Sequence, residues 1–581
     1  MTAENIMEQE EGEIGAIRSN HLRKLIGCML CHPAPLAIGL VLMVATTAAA
    51  LLEPRLFGFA IDEAIVPRDW SKLRSLSAIY FGVILIRVVS VIGQTYYFEK
   101  LGQRVAQDLR CRLFSHLQRL PVSAFDRNPA GRLMTRVTND ISSLSEMFSA
   151  GFVALAGNAL LLVGILVWLL VLDLRLGLIA GTVFPVMAIL TVYFSARLKV
   201  AYREARTRLS ALNAFLAENL LGMKIIHLFN RQSAQLGRFN EVNERFTDSQ
   251  FATVRIFALF HPVITICSGI AVSLVIWYGV GSVHDASLAP GVLVAFLAYV
   301  LALFQPLREM ADKWNIFLSG MASAERVFSI LEWPVELPAG EGGELAPAVP
   351  IASLRGHIIF ENVWFAYEGD HWILKDFSLE ISPGSQVGVV GHTGAGKTTL
   401  ISLLMRFYEP QRGRILLDGK DLRDYDKRAL RASIGIVQQD VFLFSGSRAD
   451  NVDFWAGTGK SGAELGERGG SLSAGERQVL AFERARAANP SIWILDEATA
   501  NVDSGTEARL QQELESSSQG RTAVLIAHRL ATVRNASNII VLHKGQILEQ
   551  GSHGQLIDLD GLYARLYRYQ RARELHGNQN V

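Results

Sequence analysis

The chain has 581 residues, too many for one hydrophobic core, so two or more domains are expected. A formal net charge of +1 leaves no electrostatic footprint for nucleic acid, and no such partner is expected. Only 19% of residues are charged and mean hydropathy is +0.25, which excludes an ordinary soluble protein; the apolar residues gather before residue 310.

Residues 1–17 are acidic and polar and read as a disordered tail. Residues 18–31 read as a basic-then-apolar helix suited to lying on the inner leaflet. Six nearly uncharged runs follow, at 33–52, 75–98, 149–172, 176–196, 256–283 and 286–307. Each reaches the roughly 20 residues needed to cross about 30 Å of hydrocarbon, so six spans are predicted. The first run follows a polar segment and has no small-residue cleavage site, so it reads as a retained span. Lys and Arg number twenty-one in the N-terminal segment and the loops 99–148 and 197–255, against five in the loops 53–74, 173–175 and 284–285. That imbalance places both termini and the two long loops in the cytoplasm. Cys28, Cys31 and His32 match a haem-attachment pattern, but on the cytoplasmic side and unaccompanied; with Cys111 and Cys267 they read as small buried hydrophobes, without a disulfide.

Leu109, Leu113, Leu117 and Leu120 recur at helical spacing, as do Leu209, Leu212, Phe215 and Leu220, so helices are predicted to run on into the cytoplasm. Arg87 lies in the middle of the second run, where an arginine must be paired or wetted. It faces a cavity, or else pairs with a polar neighbour such as Asn158. Residues 333–353, with Pro334, Pro338, Pro347 and Pro350, read as a linker. Beyond it strands and helices alternate, as in an α/β domain.

The second domain carries the chemistry. Gly391, His392, Thr393, Gly394, Ala395, Gly396, Lys397 and Thr398 form a Walker A loop, followed by Thr399. Such a loop turns backbone N–H groups toward phosphates, sends its lysine to the β/γ oxygens and puts a hydroxyl on Mg²⁺. A strand is predicted over 385–390 and a helix over 398–407, the context the loop needs. Residues 491–497 form an apolar strand ending in Asp496, placed for the Mg²⁺ shell, and Glu497, placed to polarise water.

With these motifs in place, residues from about 18 to 570 resemble an ATP-binding cassette exporter half-transporter of bacterial multidrug type. The resemblance implies a six-span α-helical membrane domain over 18–332 with long cytoplasmic extensions. It implies an α/β P-loop, RecA-like nucleotide-binding domain over 354–575, ahead of a tail at 576–581. Leu472 to Gln478 resembles the signature motif, whose Ser473 and Gly475 cap the γ-phosphate of ATP held by the other subunit; Ala474 and Glu476 depart from the common form. Tyr367 resembles the adenine-stacking aromatic and Gln439 the Q-loop residue at the Mg²⁺ and water site. Asp503 resembles the D-loop aspartate and His528 the switch histidine on the γ-phosphate. Residues 120–126 and 219–224 resemble the two coupling helices.

The cofactors implied are ATP and Mg²⁺, with Glu497, His528 and Gln439 catalytic and Thr398, Gln439 and Asp496 around the metal. The implied partner is a second half-transporter, a heterodimer being favoured over a homodimer. The implied setting is the lipid bilayer of the bacterial inner membrane, with the nucleotide-binding domain cytoplasmic. The expected activity is ATP-driven export of a hydrophobic or amphipathic substrate, drug or lipid-like. Leu472 comes only 33 positions after Gln439, where relatives carry a longer helical subdomain, and glycine-rich residues 451–470 read as loop. A coupling-impaired or regulatory subunit is therefore the alternative reading.

Overall fold

The computed structural model describes residues 23–284, 288–336, 351, 354–452, 464–466, 469–470, 472–496, 512–513, 516–526 and 530–577. The chain separates into two compact units. The first comprises residues 1–118 and 129–334; the second comprises residues 119–128 and 335–581.

Among the described residues the first unit holds six helices long and apolar enough to cross a membrane, over Pro33–Ile65, Trp70–Leu117, Ala130–Leu172, Leu174–Leu221, Gln232–His284 and Pro290–Leu331. They outlast the apolar runs because the patterned loop sequences continue them. Leu109, Leu113 and Leu117 are buried along the second helix, and Leu212 along the fourth. Leu209 and Leu220 stay exposed, so only part of the second expected stripe is used. Asp69 starts the second helix by accepting from the N–H groups of Ser71 and Lys72, and Asp173 starts the fourth by accepting from Leu176. Prolines sit inside three of these helices, Pro54 in the first, Pro185 in the fourth and Pro262 in the fifth. The first helix and Pro290–Ala302 meet where a Cβ on Gly291 would stand 2.1 Å from the Gly58 carbonyl, so only glycine allows that approach.

The helical residues 23–30 bury Leu25 and Met29 and pair Lys24 with Glu332 at 2.5 Å, so part of this segment packs on protein, while Ile26 and Leu30 stay exposed. Two readings of the first unit need correction. Of the cysteines only Cys267 is buried; Cys28 is half-buried and Cys31 and Cys111 are exposed. Arg87 pairs with Glu53 at 2.6 Å, and Asn158 instead donates to Glu309 at 3.0 Å, because the second helix lies against the first. Asp140 is buried and accepts from Arg136, Arg326 and Ser323, tying two helices together through one carboxylate.

The second unit is built on strands β1 (Ile358–Ala366), β2 (Trp372–Ile381), β3 (Gln386–Gly391), β4 (Arg412–Leu417), β5 (Lys420–Asp421), β6 (Ile434–Val437), β7 (Gly446–Ser447), β8 (Glu464–Leu465), β9 (Ile492–Asp496), β10 (Thr522–Ile526), β11 (Asn538–His543) and β12 (Gln546–Gly551). One sheet runs β12-β11-β3-β10-β9-β6 and a second, antiparallel one runs β2-β1-β4-β5. β3, β9 and β10 read as unbroken apolar runs because both faces of a parallel sheet are covered. The core between the sheets gathers Phe360, Phe377, Val389, Leu400 and Ile494, all nearly inaccessible. β3, β9 and β10 therefore end side by side, and their carboxyl ends are where a ligand crevice belongs.

The linker reading stops short of Glu336. That residue lies in the second unit with its carboxylate only 6% exposed, accepting from Arg431 at 3.0 Å and Lys427 at 2.9 Å, while its N–H donates to the Arg119 carbonyl. Burial alone would raise its pKa; the hydrogen bonds from Arg431 and Lys427 outweigh burial and hold the carboxyl below the usual glutamate range. Residues 337–350, 352 and 353 lie outside the described residues.

Candidate nucleotide site

β3 delivers the chain into the loop from Gly391 to Gly396, and the helix Lys397–Leu404 carries it away. Gly394 (φ +80°) and Gly396 (φ +107°) take the left-handed backbone that closes the turn without a side-chain penalty. A Cβ on Gly391 would stand 2.4 Å from the Leu542 carbonyl, so glycine is also required where β3 meets β11. Lys397 is buried, and its Nζ donates to the carbonyls of Gly391 at 2.6 Å and His392 at 3.2 Å, which folds the cation back over the loop. No acidic residue occupies the first turn of the following helix, so its N–H groups and positive end stay available to an anion.

A cavity of about 870 Å³ opens beside this loop, and Tyr367, Thr398, Gln438 and Asp496 line it. Tyr367 leaves the end of β1 partly exposed, with its hydroxyl 3.2 Å from the Thr399 Oγ1. Its ring makes T-shaped contacts with Phe365 and Tyr408 and remains 38% exposed in the cavity lining, where an aromatic surface suits stacking. Asp496 closes β9 opposite Ile526 of β10. A hydroxyl, a carboxylate and an amide lining one cavity are the hard oxygen donors that suit Mg²⁺ beside phosphates. The loop and this lining thus fit a magnesium-bound nucleotide. Gln439 is exposed one position beyond Gln438 and does not share the lining.

Ser473 caps the helix Ala474–Ala487. Its Oγ accepts from the Glu476 N–H at 3.2 Å, and the Glu476 carboxylate accepts from the Ser473 N–H at 2.8 Å. The unusual Glu476 thereby completes a reciprocal cap, and the Ser473 N–H holds its carboxyl below the usual range. Gly475 is buried in the first turn. Glu497, Asp503 and His528 lie outside the described residues.

Besides Gln438, further contributors were not legible in the sequence. Asp126 and Arg127, from the short helix Val122–Arg127, line the cavity together with Tyr408 and His371. The Tyr408 hydroxyl donates to Asp126 at 2.5 Å. Burial first, and then this bond to a carboxylate, pushes the phenol pKa upward. The helix Arg448–Val452 covers part of the segment expected to be loop. There Asn451 is buried and bonds to Phe444 and Ser447, while Arg484 of the signature-like helix donates to its carbonyl at 2.8 Å and its side chain at 2.7 Å. An aromatic after a helix, or an asparagine in a glycine-rich run, carries no periodic signal by which such roles could be read. Residues 453–463, 467, 468 and 471, most of the shortened insert, lie outside the described residues.

The sequence model of the ABC transporter transmembrane region matches residues 36–307, and that of the ABC transporter matches residues 374–500. A probable multidrug resistance ABC transporter ATP-binding/permease protein, YheH, of Bacillus subtilis is 34% identical over 86% of this chain and 77% of its own. The chain belongs to the ABC transporter family. Another relative of this ABC transporter, an ATP-dependent lipid A-core flippase of Thiobacillus denitrificans, is 31% identical over 96% of this chain and all of its own. A solved bacterial Atm1-family ABC exporter with ATP bound superposes with a TM-score of 0.74, at 25% identity, over 94% of this chain and 98% of that one. Membrane and ATP-binding regions thus occur in one chain, in the exporter fold. This ABC transporter is a multi-pass membrane ATPase.

Proposed function

We propose that this chain is one half of a dimeric exporter that uses ATP to move a hydrophobic or amphipathic molecule, drug or lipid-like, across the inner membrane. The carrying observation is the joining of six membrane-length helices to a phosphate-cradling loop beside a cavity lined by Tyr367, Thr398 and Asp496. Bound MgATP supplies the phosphoanhydride whose cleavage drives the cycle. Tyr367 stacks the adenine, and the loop from Gly391 to Gly396, with His392, Thr393 and Ala395, surrounds the phosphates through its N–H groups. Lys397 swings from its two carbonyl partners to the β/γ oxygens. Thr398 and Asp496, with Gln438 in the same lining, would hold Mg²⁺, which Gln439 would join only by turning in from its exposed position, and Thr399 fixes the Tyr367 hydroxyl. Glu497 takes the proton of the attacking water, and His528 bonds the γ-phosphate. Ser473 and Gly475 reach the nucleotide of the second subunit, so two chains are needed for a complete site, with a heterodimer favoured. Both termini and the ATP-binding domain lie in the cytoplasm.

The test is ATP hydrolysis and transport by the purified chain in proteoliposomes, alone and with candidate partner half-transporters, alongside Glu497→Gln. Turnover that Glu497→Gln abolishes, with an amphipath moved across the bilayer, is the expected result. Turnover that ignores Glu497→Gln would refute the assignment of the base. A regulatory subunit is the second reading, favoured by the 33 positions between Gln439 and Leu472; it expects ATP binding alone and turnover only beside a partner.

A further inference from the structure

Arg87 lies twelve residues from Ser75 and eleven from Phe98, so it sits about 18 Å into an apolar helix at about 1.5 Å per residue, near the middle of a bilayer. Its Nη1 donates to the Glu53 Oε2 of the first helix at 2.6 Å. The pair has no net charge, which is how two ions tolerate that depth, but it leaves bonding capacity over. Among the described residues the Glu53 Oε1 is buried and has no hydrogen-bond partner. Arg87 is 45% exposed, and a guanidinium has five N–H groups. Both residues open into a cavity of about 380 Å³ whose other walls are Ile84, Val88, Val91 and Ile92, one aliphatic stripe at helical spacing.

The polar character extends along the same seam. Thr46 and Gln94 each lie seven residues, two helical turns, from Glu53 and Arg87 respectively. The contact of Gly93 with Leu42 and the ion pair fix the antiparallel match of the two helices, which puts Thr46 and Gln94 at one level. Their side-chain oxygens are also buried without partners. Thr46 and Gln94 extend the polar seam beyond the cavity, and the unmet bonding capacity of Glu53 and Arg87 within it is a desolvation cost that a ligand's head group would offset.

We propose that the Glu53–Arg87 pair is a binding site for the head group of a zwitterionic amphipath. This rests on the exporter reading for its role in transport. The ligand's anionic group, a phosphate or carboxylate, takes the free N–H groups of Arg87. Its ammonium donates to the Glu53 carboxylate, which turns to present Oε1, and its hydrocarbon lies on the stripe from Ile84 to Ile92. A head group with both charges leaves the site neutral, whereas an ion of one sign would bury a net charge.

The experiment uses the full chain in nanodiscs of phosphatidylglycerol alone, with short-chain phosphatidylcholine as the zwitterionic probe. Retention of the probe is read by native mass spectrometry for the wild type and for the double variant Glu53→Leu with Arg87→Leu. Either single change strands a charge and endangers folding. The paired change replaces an ion pair by apolar groups, a substitution proteins commonly accept, and its melting temperature and ATP binding check the fold. The expected result is retention weakened roughly tenfold or more in the folded double variant, the loss of about one charge-assisted hydrogen bond. Equal retention by both proteins, or equal retention of a short-chain phosphatidylglycerol competitor, overturns the site. Movement of the probe across proteoliposomes marks it as cargo, and retention without movement marks a resident bilayer lipid; either source supports the site. If no amphipath is moved at all although ATP is hydrolysed, the exporter reading fails, while the retention comparison still judges the site.

Discussion

The hydrogen bond from Tyr408 to Asp126 joins the rim of the nucleotide cavity to the helix Val122–Arg127, and its contribution can be isolated by a double-mutant cycle. Tyr408→Phe removes the donor alone and keeps the ring edge-on to Tyr367 at 5.0 Å, so the aromatic packing survives. Asp126→Asn removes the charge. A phenol–carboxylate bond of 2.5 Å is of the strong, charge-assisted kind, worth about 1.5–3 kcal/mol where water is excluded. Asp126 is exposed, so solvent screening reduces this to about 1 kcal/mol, a factor of about five in an equilibrium constant. If the segment is the coupling helix, each single variant lowers the ratio of substrate-stimulated to basal ATPase by about fivefold in proteoliposomes. The double variant is then no worse than either single one, because both remove one interaction. Additive losses, multiplying to about 25-fold, would show that the two residues act separately and would refute the link.

Other outcomes follow from neighbouring contacts. Glu336→Ala strands Arg431 and Lys427 and should cost about 3 kcal/mol, read as a lower melting midpoint of the full chain in micelles. Because the folded carboxyl titrates below its ordinary value, its contribution is complete above the unfolded glutamate pKa near ~4.3 and is lost as pH falls through the folded pKa. The melting-midpoint difference between wild type and Glu336→Ala should therefore shrink on acidification. Glu476→Gln keeps both halves of the Ser473 cap but removes a negative charge beside the expected γ-phosphate position, so the KM for ATP should fall; an unchanged KM would argue against a phosphate at that helix end. Asn451→Ala leaves the Phe444 N–H, two carbonyls and part of the Arg484 guanidinium without this partner and should cost about 2–3 kcal/mol, with the Arg448–Val452 helix becoming accessible to protease.

The features most legible in the sequence were those with a period or a fixed local geometry. Six apolar runs announced six helices because bilayer thickness sets a length. Gly394, Gly396 and Lys397 announced a turn because few residues accept that backbone. What stayed hidden depends on distant partners. Nothing near Arg87 names Glu53, which lies 34 positions away, and nothing near Asp126 names Tyr408, which lies 282 away. Glu336 looked like part of a proline-rich linker because its cations sit 91 and 95 positions downstream. Glu476 looked like a departure from a motif until the Ser473 N–H showed what its carboxylate does locally.

The fourth and fifth helices, of 48 and 53 residues, are about 72 and 80 Å long, more than twice the thickness of the hydrocarbon they cross. A continuous rod of that length acts as a lever. Tilting one by about 5° around its middle displaces either tip by about 3 Å, roughly the reach of a hydrogen bond. Pro185 and Pro262 interrupt the backbone ladder inside the apolar stretch of each rod, not in its polar extension. The arms are thus stiff where they leave the membrane and compliant within it, so a small bend among the lipids becomes a stroke of several ångströms at the far end.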